Sequence, residues 1–223
     1  MEVLLKIALP RNALDDHYFL YPVFSFRALD QLGWQHAPVL LRPPVRFLSR
    51  HPELDPVADF AYFYEPGIKL YKDPGFFVRQ AEEHGVDLDR LTLTSGTDET
   101  STIEQLADRL GSLVHIGDVN GLLLDALGGG LSLSGVGHAM SIGAGRLFLR
   151  SNTGNPFDVH VHTGINARRY LLGLDGLSVK TKALALLSWS TGPEVYYLDE
   201  PLNWPLVGKS ESASDGPDSQ EAM

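Results

Sequence analysis

An α+β fold is what this sequence predicts, and three observations carry that expectation. The chain opens on an apolar run at residues 2–9, EVLLKIAL, that reads as a first strand. Amphipathic stretches of helical period then alternate with short apolar or aromatic segments bounded by Pro and Gly. Finally, a glycine-rich stretch over residues 135–145 runs straight into the strand-like LFL of residues 147–149.

Taken in order, residues 24–32 read as a short helix ended near Gly33, and Pro43 with Pro44 forces an extended or turning backbone. The segments VRFLS and FAYFYEPGIKLY, the second turning at Pro66-Gly67, read as a hairpin. Residues 76–83 are helical. Residues 100–110 form the clearest helix, with Thr100 or Ser101 as N-cap, Glu104 closing a capping box, and Ile103, Leu106, Ala107 and Leu110 on one face. Residues 119–127 continue as helix, ended by Gly128-Gly129-Gly130, and DVHVH at 158–162 reads as a strand after the Asn155-Pro156 turn. Residues 166–172 are helical, 183–189 a helix or buried strand, and 194–198 a strand. A β-α-β-β-α-β order fits residues 1–150.

The glycine stretch is the best sequence clue to function. It reads GVGHAMSIGAGR, a G-x-G-x5-G-x-G frame with Ser141 before the second glycine pair and Arg146 after it. Glycines let the backbone approach a ligand closely, and bare N–H groups cradle phosphates. The dinucleotide and nucleotide-triphosphate fingerprints do not apply, since the spacing is too long for the first and no Gly-Lys-Ser/Thr follows for the second. The same glycines also suit a tight turn or bulge between two backbones.

Over residues 135–146 the frame resembles the glycine-rich loop of the RAMP superfamily, the ferredoxin-like RNA-binding proteins of CRISPR systems. Gly135, Val136, Gly137, Ser141, Gly143, Ala144, Gly145 and Arg146 fall on that pattern, whereas the basic residue usual between the glycine pairs is replaced by His138, Ala139 and Met140. The resemblance implies a ferredoxin-like α+β fold and a non-cleaving subunit, of the kind that includes the compact form of type IV systems, that holds the 5′ handle of the guide RNA and docks on other effector subunits. It also implies RNA contacts at Gly135, Gly137, His138, Ser141, Gly143, Gly145 and Arg146. Were there catalysis, His138 would be the general base of a metal-independent guide RNA endoribonuclease.

Composition bounds these readings. The 223 residues are 43% hydrophobic and 21% charged, with no cysteine, which excludes disulfides, thiolate metal sites and cysteine nucleophiles. No apolar run approaches a membrane span, so a cytoplasmic protein without a membrane partner is expected. Net charge is −10, against the basic footprint of nucleic-acid binders, but it is unevenly spread. Residues 51–125 hold fifteen acids against five basic residues, while residues 126–198 hold six basic residues against three acids. One domain is expected over residues 1–207, with a subregion from about 151, followed by an acidic, disordered tail at 208–223.

Arg42, Arg46, Arg168, Arg169, Lys180 and Lys182 are candidate phosphate contacts, and Tyr62, Tyr64, Phe63, Tyr71, Tyr196 and Tyr197 candidate base-stacking or core aromatics. His160 and His162 share a face if DVHVH is a strand, a possible metal pair lacking a third ligand. No cofactor is expected. Two other readings remain open: a vicinal-oxygen-chelate-type metalloenzyme, from the histidine segment and the Asp199-Glu200-Pro201-Leu202-Asn203 run, and an acidic interaction or scaffold protein with no ligand of its own.

Overall fold

The computed structural model describes residues 1–14, 16–50, 72–150, 158–192 and 195, and among them every regular element is a helix. The helices are α1 (Glu2–Arg11), α2 (His17–Leu32), α3 (Ala37–Leu40), α4 (Arg42–Arg50), α5 (Phe76–Glu83), α6 (Thr100–Gly111), α7 (Val119–Gly128), α8 (Leu133–Arg150), α9 (Asp158–Leu172) and α10 (Val179–Leu187). Single 3-10 turns lie at Trp34–His36, Ile116–Asp118 and Ser188–Thr191. The α+β, ferredoxin-like expectation is therefore corrected to an all-α fold.

The strand readings fail for a common reason. Residues 2–9 bury Leu5, Ala8 and Leu9, spaced three and one apart, which is helical spacing rather than alternation. In DVHVH, Val161 is fully buried while Val159 is 55% exposed, so the two valines do not share a face. Val161, Ile165 and Arg168 fall instead on one buried helical stripe. VRFLS lies within α4, and LFL is the last turn of α8, with Leu147 buried and Leu149 at 84% exposure. The helix readings at 24–32, 76–83, 100–110, 119–127 and 166–172 stand within α2, α5, α6, α7 and α9, and 183–189 resolves as helix. FAYFYEPGIKLY and the tail lie outside the described residues, as does the 194–198 strand apart from Val195.

Ends are set locally. Gly33, at φ 103°, terminates α2 in a conformation costly for other residues. The capping box expected at α6 does not form: the N-cap is Glu99 with no side-chain capping bond, Glu104 pairs with Arg146, and Asp98 Oδ1 accepts from the Thr100 N–H at 2.9 Å and the Thr100 hydroxyl at 2.6 Å. The Thr100 hydroxyl holds the Asp98 carboxyl below its ordinary range. Ser178 caps α10, its Oγ accepting from the Thr181 N–H at 3.1 Å.

Two cores share α9 and α10. The larger gathers Phe77, Leu110, Leu123, Val136, Met140, Leu147, Ile165, Leu186 and Trp189 from α5 to the turn after α10. The second joins Leu5, Leu9, Phe19, Val23 and Phe26 of α1 and α2 to Ala167, Leu171 and Ala185. Contacts are densest where α8 crosses α6, then α9.

Candidate anion-binding faces

The glycine frame lies inside α8. The Gly135 N–H donates to Ser132 Oγ at 3.0 Å and the later N–H groups are spent on the helix ladder, so they do not form a phosphate cradle, and Gly135, Gly137 and Gly143 are buried. Their missing side chains make room for neighbours. A Cβ on Gly143 would sit 2.6 Å from the Leu110 Cβ of α6, and one on Gly135 would sit 2.7 Å from Leu131 and 2.8 Å from Glu99. A Cβ on Gly137 would press on Arg169 Cγ and Leu172, each at 3.2 Å, whereas Gly145 opens onto empty space. On the facing helix, Gly111 leaves room for the stem of Arg146. Arg146 then pairs with Glu104 at 3.0 Å and Asp108 at 2.9 Å, so its charge is committed to α6.

Arg168 is fully buried and structural. Its Nε donates to the Ala185 carbonyl at 2.7 Å, Nη1 to the Gly164 carbonyl at 3.0 Å, and Nη2 to Asn12 Oδ1 and Ser188 Oγ, while the guanidinium lies 4.3 Å over the Phe19 ring. Desolvation, partly opposed by the nearby Asp16, pulls its pKa down to about 10, which leaves it a cation at neutral pH. With Asn12, which donates to the Ser188 carbonyl and Thr191 Oγ1, it clamps α1, α9 and the end of α10 together. Lys182 is likewise buried, donating to the Leu172 carbonyl at 2.9 Å, and Lys180 pairs with Asp89 at 3.2 Å. Arg168 and Lys182 are thus withdrawn from any ligand, while Lys180 is half-buried with its charge paired to Asp89.

The two histidines of DVHVH diverge, because two residues on a helix turn through roughly 200°. His160 faces the buried carboxylate of Asp16 at 3.7 Å and the His17 ring edge-on at 6.0 Å, while His162 meets Phe148 at 5.4 Å. The shared face expected of a metal pair is absent, and no group of three metal-ligating side chains occurs among the described residues. The helix over 158–172 also replaces the histidine strand on which the vicinal-oxygen-chelate reading rested. No family model, curated protein or solved structure matches this chain. No described helix is long and apolar enough to cross a membrane.

Among the described residues, two faces keep arginines that the sequence marked as candidates. On α4, Arg42, Arg46 and Arg50 follow one another at four-residue intervals and all are exposed. No acidic residue occurs from position 31 to 52, and among the described residues the three guanidinium groups have no ion-pair partner. Phe47 of the same helix stacks on Tyr21 of α2, centroids 5.1 Å apart and 8° from parallel. Tyr21 is 42% exposed, as are Phe24 at 46% and Trp34 at 41%. The sequence reading found Arg42 and Arg46 but missed Arg50 and these aromatics. The i, i+4, i+8 spacing of RPPVRFLSR was the available signal, hidden by the hairpin assignment. The other face is a cleft of about 360 Å³ lined by Leu93, Thr94, Ser134, His138, Arg169 and Tyr170, with Leu172 and Gly173. Tyr62, Phe63, Tyr64, Tyr71, Tyr196 and Tyr197 lie outside the described residues.

Proposed function

We propose that this chain binds single-stranded RNA along the outer face of α4 and the adjoining surface of α2. The observation that carries this is the row Arg42, Arg46, Arg50, three exposed guanidinium groups advancing about 6 Å per step along a helix. Arginine bonds phosphate oxygens bidentately, so each step of the row suits a separate backbone phosphate. The exposed ring of Tyr21, held flat against Phe47, and those of Phe24 and Trp34 add faces on which unpaired bases stack, each worth roughly 1–3 kcal/mol. The whole molecule carries −10, so binding at this stretch is steered by local rather than net charge. The RNA contact thus moves from the 135–146 frame, which helix packing accounts for, to a surface that retains Arg42 and Arg46. Nothing in the helical architecture ties this RNA to a CRISPR guide.

Fluorescence anisotropy of a short labelled single-stranded RNA tests the proposal. The Arg42→Ser/Arg46→Ser/Arg50→Ser variant is expected to bind at least tenfold more weakly, with a salt-dependence slope smaller by about 2, since each single-strand phosphate contact contributes about 0.7. Tyr21→Ala is expected to weaken binding with the slope unchanged. An unaltered slope in the triple variant, or complete competition by anionic phospholipid vesicles that bind more tightly than the RNA, sinks the reading.

A further inference from the structure

The glycine-rich helix carries a polar stripe beside its buried glycines, with His138 exposed and Ser134 and Ser141 half-buried. Ser134, His138 and Ser141 succeed one another at four and three residues, which places them along one face of α8, and that face looks across a cleft toward Arg169 of α9. Two features fix Arg169 there. Its stem runs over Gly137, where any Cβ would sit 3.2 Å from Arg169 Cγ, and its Nη1 donates to Ser141 Oγ at 3.0 Å. One of five guanidinium N–H donors is thereby used, and among the described residues no carboxylate pairs with the rest. Thr94 and Ser134 bring hydroxyls to the same cleft, and His138 an exposed imidazole. Tyr170 forms a wall. Its hydroxyl is bonded to Asp30, and burial together with that carboxylate pushes its pKa far above the ordinary range, so it stays neutral.

We infer that this cleft is a phosphate-binding site, with Arg169 as its fixed cation, His138 as a second donor, and the Thr94 and Ser134 hydroxyls completing the oxygen contacts. A phosphate monoester or inorganic phosphate offers several acceptor oxygens, matching a donor set made of a fork, an imidazole and two hydroxyls better than the two oxygens of a carboxylate. The cavity takes a small ligand, and the lining residues contribute no acid to repel it. The site stands apart from the α4 face and does not rest on RNA binding there. It also gives the glycine frame a role beyond close helix packing, because Gly137 is what allows Arg169 to lie flat beside α8.

The test is a titration of the full chain with inorganic phosphate, followed by the ring resonances of the histidines in carbon–proton correlation spectra, with chloride at matched ionic strength and succinate as parallel arms. Saturable movement of the His138 ring signals by phosphate is expected, absent with chloride and at least tenfold weaker with succinate. Arg169→Gln should remove the saturation. Gly137→Ala, which keeps every donor but displaces Arg169, should weaken binding several-fold, while Arg46→Ser, on the other face, should leave it unchanged. If Arg169→Gln unfolds, Thr94→Val, at an exposed loop position, serves as the second variant and should also weaken phosphate. Undisturbed His138 signals, saturation that survives in Arg169→Gln, or an equal response to succinate overturns the assignment.

Discussion

At the scale of single residues, the glycines of α8 differ in what each omits. Glycine costs a helix interior about 1 kcal/mol relative to alanine, so a helix that keeps several has to recover that cost through contact. Gly143 does so, since the Leu110 Cβ would lie 2.6 Å from an added methyl, too close to be relieved by a rotamer change. Gly145 does not, with nothing within 4 Å of the same position. Gly143→Ala is therefore expected to destabilise the fold by about 1–3 kcal/mol through overpacking, and Gly145→Ala to stabilise it by about 0.5–1 kcal/mol. Thermal melts of the two single variants should move in opposite directions; movement in the same direction would mean that α6 and α8 are not in the contact described. The sequence frame made these two glycines equivalent, because spacing records where glycines fall and not what stands opposite them.

Among the elements, those legible in the sequence were helices whose apolar spacing and terminating residues agree, such as residues 100–110, where Leu106, Ala107 and Leu110 bury as expected. Residues 2–9 and 158–162 were misread because short runs of Val, Leu and Ile satisfy either period, and their true period emerges only from which of them is buried. Of the site, Arg42, Arg46, His138, Ser141 and Arg169 were found from the sequence, but the two surfaces that divide them depend on helix packing across distant segments. One such long-range tie is Glu2 at the start of α1. It accepts from the Ser178 hydroxyl at 2.9 Å and the Ser178 N–H at 3.2 Å, and from the Thr181 hydroxyl, so it fastens α1 to the N-terminus of α10. Burial works against its ionisation, yet the bonds from Thr181 and Ser178, with the charge of Lys6, outweigh it and hold the carboxyl below its ordinary value of 4.5. A carboxyl depressed in the folded state contributes stability above its unfolded pKa and loses it as pH falls through the folded one. The melting temperature of the native chain should thus exceed that of Glu2→Gln near neutral pH, with the gap closing as the pH drops below about 4.5. A gap that stays constant through the acid range would remove Glu2 from the tie.

For the whole molecule, the distribution of charge decides more than its sum. Residues 51–125 carry fifteen acids against five basic residues, and residues 209–223 carry four acids against Lys209, while the arginine row of α4 stands in a stretch without any acid. A polyanion approaching α4 therefore feels attraction at short range and repulsion from the remainder, and the repulsive part is the more sensitive to salt because it acts over distances beyond the Debye length of about 8 Å at physiological ionic strength. Removing residues 209–223 takes away a net −3 without touching any described helix. Truncation after Gly208 is thus expected to tighten binding of single-stranded RNA about two- to threefold at low salt, an effect worth about 0.5 kcal/mol, and to make no difference at physiological salt. The Arg42, Arg46 and Arg50 contacts, by contrast, act at bonding distance and should dominate at both. Anisotropy titrations of the truncated and full chains at two ionic strengths separate the cases. If truncation changes the affinity equally at both, the tail acts by contact rather than through its field, and the long-range part of this electrostatic account is wrong.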